Sequence, residues 1–238
     1  MPISEDDGGN AFSDKAIRRA FIRKVYLLLM LQLVLTCAVI TACVHVPRVH
    51  ELARQYYYVG FICMCVAFVM NILVCCCCSD MFRCFPCNFI FLFVFTGLVS
   101  VGLGCATAFY KADEVMLAVA VTAVVFLALT IFAMQSMIDF TVCSGVMFCF
   151  LIVLILFGIL VAFLGKKYPI LRLLYACAGA LIFSVYIIVD TQLIMGGHRA
   201  YAISPEDYIL ACLTLYVDII NLFQYILQII RFINEQNG

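Results

Sequence analysis

The run 205–231, PEDYILACLTLYVDIINLFQYILQIIR, and the run before it, 170–195, ILRLLYACAGALIFSVYIIVDTQLIM, decide how this chain is read. Each is long enough to cross a bilayer as a helix, for which about 20 residues suffice. Each also carries a carboxylate within the apolar stretch, Asp190 in the first and Asp218 in the second. An ionisable side chain inside a span costs roughly 2.5 to 3.5 kcal/mol on insertion scales, so it is retained for an ion path, a proton relay or a buried partner. These two acids are the expected working site.

Composition agrees with a membrane setting. Hydrophobic residues make up 67% of 238 and charged residues 12%, against about 45–50% and 25% in soluble domains. The net charge is zero and the one basic cluster is Lys15, Arg18, Arg19, Arg23 and Lys24. That distribution excludes nucleic acid as a partner, because phosphate binding needs clustered cations. The bilayer itself is the first expected partner.

Apolar stretches of spanning length recur near 25–46, 57–78, 88–109, 115–134, 142–164, 170–195 and 205–231. The first is too long for a signal-peptide core and is read as retained. Connections are short, as at Lys111 to Glu114 and Gln135 to Asp139, so neighbouring spans run antiparallel in one bundle. The expectation is an all-α, polytopic membrane protein: a single domain of seven transmembrane helices over 15–238, the last helix central, after a disordered polar tail at 1–14. Lys and Arg are balanced across the two faces, and the basic flank of the first span favours a cytosolic N-terminus.

Ser204-Pro205-Glu206-Asp207 reads as a helix start, with Ser at the N-cap and Pro in the first turn. Gly196-Gly197 suits the end of the preceding helix. At 1.5 Å per residue Asp218 then lies about 20 Å into its helix and Asp190 about 9 Å from the end of its own. Contact between them requires an axial offset, so proximity is expected ahead of a hydrogen bond. Thr214, Asp218, Asn221, Tyr225 and Gln228 follow at steps of four, three, four and three, forming one polar stripe that should face protein or water and line any path. The bland alternative is that the stripe joins helices at under about 2 kcal/mol per bond. Two neighbouring carboxyls can share a proton and separate as it leaves. Carboxylate oxygens are also ligands for hard cations, which makes calcium a candidate transient occupant of Asp190 and Asp218 and a permeant ion, with no resident cofactor.

Cys75, Cys76, Cys77 and Cys78, followed by Cys84 and Cys87, end the second span. Juxtamembrane cysteines of this kind are candidates for palmitoylation; zinc is the alternative, although four consecutive thiols suit tetrahedral geometry poorly. An enzyme reading, intramembrane aspartyl proteolysis, would also use one Asp on each of two late helices. Such proteases carry Gly-x-Gly-Asp where this chain has Leu215-Tyr216-Val217-Asp218, so no enzyme is expected.

Four segments resemble the Bax inhibitor motif-containing transmembrane proteins, and within them the lifeguard branch. They are Ile17 to Tyr26, Arg83-Cys84-Phe85-Pro86-Cys87-Asn88, Asp139-Phe140-Thr141, and Asp190-Thr191-Gln192-Leu193-Ile194-Met195-Gly196-Gly197 running on through Ser204 to Phe223. The resemblance implies seven helices around the last one, a pH-sensitive calcium leak gated by an aspartate pair matching Asp190 and Asp218, and negative regulation of cell death. It also makes Asp139 a candidate gating contact. Other membrane proteins of apoptotic or calcium signalling are the implied partners. Endoplasmic reticulum, Golgi or endolysosomal membrane is the expected location, with the plasma membrane as the alternative. Bacterial relatives latch an aspartate with a basic residue from the second span; here no basic residue lies between Arg54 and Arg83.

Overall fold

The computed structural model describes residues 6–77, 86–165, 167–196 and 199–237. The eight α-helices among them are α1 (Asp6–His45), α2 (Pro47–Gln55), α3 (Tyr57–Cys77), α4 (Cys87–Thr107), α5 (Ala112–Gln135), α6 (Ser144–Leu164), α7 (Pro169–Met195) and α8 (Tyr208–Asn237). Short 3-10 turns at Phe140–Cys143 and Pro205–Asp207 lead into α6 and α8. No strand occurs among the described residues. Helix is the form an apolar span must take, because hydrocarbon offers no partner for an unpaired backbone group.

Among the described residues six helices are long and apolar enough to cross a membrane, and α2 with α3, bent by 72° at their junction, makes a seventh span if the pair is taken as one. The stretch 47–56 was expected as a connection and is instead a helix. Pro47 stands in its first turn, where a missing N–H costs nothing. At nine residues it is too short to be a span by itself, and Arg48, Glu51 and Arg54 make it polar. Val49 and Ala53 turn inward onto Cys43, Cys105 and Ala108.

In place of the tail expected at 1–14, residues 6–14 continue α1; residues 1–5 lie outside the described residues. Once a span has nucleated a helix, extending it gains one hydrogen bond per residue without a new nucleus. Of the cysteine cluster, Cys75 to Cys77 close α3, while Cys78 and Cys84 lie outside the described residues.

α8 is the hub. It packs against α7, α5, α1 and α4, and Ile209, Ala211, Cys212, Leu215 and Tyr216 along it are fully buried. Close approach to α7 depends on Gly179, where an added Cβ would strike the Tyr225 ring. Small residues play this part in membrane bundles, because without a hydrophobic drive between helices the gain comes from close packing.

A buried polar network joins α8 to α1 and α4. Gln32 donates to Thr96 Oγ1 (2.7 Å), and the Thr36 hydroxyl lies 2.9 Å from Ser100 Oγ and 2.8 Å from the Tyr216 hydroxyl. Cys212 Sγ donates to Gln32 Oε1 (2.8 Å). Each helix supplies a pair four residues apart: Gln32 and Thr36, Thr96 and Ser100, Cys212 and Tyr216.

Two substitutions test this packing. Thr36→Val should cost about 1 kcal/mol, the usual scale of an interhelical hydrogen bond. Gly179→Leu should cost more, about 1–3 kcal/mol, because it overpacks the α7–α8 seam. Unfolding midpoints in detergent or bicelles read both, and a neutral Gly179→Leu would contradict the close approach.

Candidate functional site

The sequence places Asp190 five residues before the end of α7 and Asp218 ten residues into α8. The structure brings the two carboxyls within hydrogen-bond reach of each other, with Thr214 beside them on the same cavity wall and its hydroxyl donating to Ala211 O (3.3 Å). The antiparallel register that pairs them sets Met195 level with Leu213. Tyr208 to Cys212 therefore overshoot α7 by about 7.5 Å at 1.5 Å per residue. This is the axial offset a direct contact demands, and it makes the pair closer than proximity alone.

Asp190 is 9% exposed and Asp218 6%. Asp218 Oδ2 is buried with no hydrogen-bond partner from a donor group among the described residues. Both acids line a cavity of about 440 Å3 walled by α3, α4, α6, α7 and α8. Thr214, Asn221 and Tyr225 of the polar stripe line the same cavity. Gln228 does not. It opens onto a second, smaller cavity of about 140 Å3 with Tyr110, Arg172, Arg231 and Glu235.

Around Tyr225 the larger cavity is walled by aromatic rings. Tyr225 hydroxyl lies 3.1 Å from Tyr175 hydroxyl, and the Tyr225 ring stacks on Phe183 with centroids 5.8 Å apart. Periodicity puts Tyr225 and Gln228 on one helix face, yet Tyr225 lines the larger cavity and Gln228 the smaller. On the α3 side Met64, Ala67, Phe68 and Asn71 face the larger cavity, so this span contributes a carboxamide and no cation.

A collar of hydrogen bonds holds the end of α7 beside Asp190. Gln192 accepts from Phe140 N (2.8 Å) and donates to Ile138 O (3.0 Å). Arg18 donates to Ile203 O (2.7 Å) and packs against Gly196, whose φ of 59° takes the chain out of the helix. Ile203 N returns to Leu193 O (3.0 Å).

Asp139 belongs to this collar. Its Oδ1 accepts from Thr141 N (3.0 Å) and Thr141 Oγ1 (2.6 Å), and its Oδ2 accepts from Ala200 N (2.7 Å). It caps the 3-10 turn and ties the α5–α6 connection to the chain after α7. The Thr141 hydroxyl first, then the Ala200 amide, hold its carboxyl below the usual carboxylate range. The network among Gln32, Thr36, Thr96 and Ser100 and the collar around Gln192 went unread in the sequence. Their signal was present as polar pairs four apart inside apolar spans, and as a buried Gln two residues beyond an acid.

Three further hydroxyls, Tyr26 on α1, Thr130 on α5 and Thr191 on α7, are gathered closely enough to interact, without good hydrogen-bond geometry. Among the described residues no three His, Cys, Asp or Glu side chains converge as a metal site. Two carboxylates fall well short of the six to eight oxygens that hold calcium in place.

Residues 18–236 match the family described as "Inhibitor of apoptosis-promoting Bax1". The chain belongs to the Bax inhibitor family. It is 38% identical to protein lifeguard 3 of Homo sapiens over 95% of this chain and 73% of that protein. Against protein lifeguard 3 of Mus musculus the identity is 36%, covering 92% and 71%. Bax inhibitor 1 of Schizosaccharomyces pombe is 34% identical over 94% of this chain and 80% of its own length. The chain is thus a multi-pass integral membrane member of the Bax inhibitor family, on the lifeguard side of it.

Because the Asp139 carboxyl titrates lower folded than unfolded, its contribution to the collar is present above the ordinary carboxylate range and is lost as pH falls through the depressed folded value. Asp139→Ala should remove that contribution at neutral pH. Hydrogen exchange should then accelerate at the Thr141 and Ala200 amides, while the α8 core amides stay protected. Unchanged exchange at both amides would show that the cap carries no local stability.

Proposed function

We propose that this chain is a pH-sensitive calcium leak of intracellular membranes, gated by Asp190 and Asp218, and that through it the chain acts as a negative regulator of apoptosis. The observation that carries the reading is the contact of two buried carboxyls at the wall of a cavity along the central helix. The description of the family and the name Bax inhibitor 1 borne by a relative support the link to cell death.

The chemistry follows from the pair. Two carboxyls hold together when one proton lies between them, and they titrate as a unit. Loss of that proton sets like charges side by side in a low-dielectric site, where repulsion is least screened. The α7–α8 contact then loosens and two carboxylates are offered to a cation. A hard cation is favoured by such oxygens, and a site with so few ligands passes it on.

The stripe of α8 supplies the rest of the route. Thr214 and Asn221 carry polar atoms along the first cavity, and Gln228 stands in the second. The Tyr175–Tyr225 pair is the proposed constriction. Nothing in this scheme requires a covalent step.

Purified protein in liposomes tests the reading by calcium flux across a pH series. Flux should rise with pH as the shared proton leaves, and Asp190→Asn and Asp218→Asn should each flatten that dependence. Tyr225→Ala should raise flux several-fold at the higher pH values, where the pair has lost its proton. Absence of flux above empty liposomes at any pH would overturn the leak and leave a membrane regulator that acts by binding partners.

A further inference from the structure

Two helices with exposed apolar side chains wall the larger cavity. α3 packs against α4 and α6 against α7, and no extensive contact joins α3 to α6. Both nevertheless wall the cavity, Phe68 from α3 and Ile155 from α6. Phe68 is 61% exposed and Ile155 48%. Tyr57 to Phe68 and Ser144 to Ile155 are each eleven steps along helices of 21 residues. The mouth framed by these two side chains therefore lies near mid-bilayer and faces hydrocarbon.

A molecule entering there arrives from the lipid phase. The far wall is acidic, made by Asp190 and by Asp218, whose Oδ2 lacks a hydrogen-bond partner from a donor group among the described residues. A buried acceptor in that position is satisfied by a donor or a cation. Phe95, Tyr175, Phe183 and Tyr186 add ring faces around the same space, and aromatic faces attract a desolvated ammonium. The remaining surface, from Ala67, Leu151 and Leu154 among others, is apolar. At about 440 Å3 the cavity is within the range of small-molecule sites.

We propose that this lateral cleft binds a single-chain aliphatic amine drawn from the bilayer, its nitrogen donating to Asp218 and Asp190 and its chain leaving between Phe68 and Ile155. The charge of the wall selects the amine over an alcohol or a fatty acid. The depth of the mouth selects a single chain with a small head, which partitions into hydrocarbon as the neutral amine and takes up at the site the proton the two carboxyls share, over a phospholipid whose headgroup stays at the interface. The proposal rests on the reading of the aspartate pair as a cation site and adds a second kind of cation to it.

The test is photolabelling of the full chain in phosphatidylcholine nanodiscs with a dodecylamine carrying a mid-chain diazirine, the adducts being mapped by peptide mass spectrometry. Adducts are expected on the α3 and α6 peptides around Phe68 and Ile155, competed by dodecylamine and not by dodecanol. Asp218→Asn, which keeps the shape of the side chain, should reduce them at least tenfold. Ile155→Trp, which narrows the mouth without touching a carboxyl, should do the same, and it carries the test if the Asp218 variant fails to fold. Labelling insensitive to both variants, or competed equally by the alcohol, would assign the cleft to ordinary annular lipid and overturn the proposal. Labelling needs no conduction: adducts without calcium flux would sink the leak and leave the amine site standing, whereas flux without adducts would sink the amine site alone.

Discussion

The contact between α7 and α8 governs the rest of this structure. Two carboxyls are brought together in a setting where each alone is costly, and the geometry that does so is an axial offset between antiparallel neighbours. That offset has supports at both ends. Near the middle of the bundle Gly179 lets the Tyr225 ring lie against α7. At the other end the collar of Gln192, Asp139 and Arg18 holds the exit of α7 against the α5–α6 connection and the loop before α8. The acids sit between, and neither helix can slide without breaking one of these holds.

The polar atoms divide into two kinds by what they do. Gln32, Thr36, Thr96, Ser100, Cys212 and Tyr216 satisfy one another on the side of α8 that meets α1 and α4. Such closed networks bind helices and pin register, each bond contributing modestly because the separated helices would also find partners. Asp218 and Asn221 face a cavity whose wall Tyr216 also joins, and Asp218 keeps an oxygen without a donor group. The same helix is thus both glued and chemically poised. This division also explains why α3 and α6 stand apart: each completes a wall, and neither is needed to bury α8.

Much of this was legible in the chain. A carboxylate in an apolar run is rare enough to read as functional wherever it lies, and Thr214, Asp218, Asn221 and Tyr225 fall on one face because a helix repeats every 3.6 residues. Ser204 and Gly196 mark their helix ends through local backbone chemistry, which is independent of the rest of the fold. Gln228 shows where this reasoning stops. It shares the stripe, yet it lines a different cavity from the acids, and which cavity a side chain meets is a property of the space across the helix. α2 escaped notice because nine residues with three charges have the pattern of a surface turn, and only packing on Cys43, Cys105 and Ala108 reveals the buried face.

What the sequence determined by itself is the membrane setting, the helical class, the approximate spans and the two acids, since each follows from local composition and from the demand that backbone groups in hydrocarbon be paired internally. Tertiary structure alone decided that the acids come together, that the stripe borders two cavities in place of one, and that α3 and α6 both wall the larger of them. Those outcomes depend on the relative rotation, offset and spacing of helices far apart in the chain. They are set by which side chains interlock across interfaces, and no single helix carries that information.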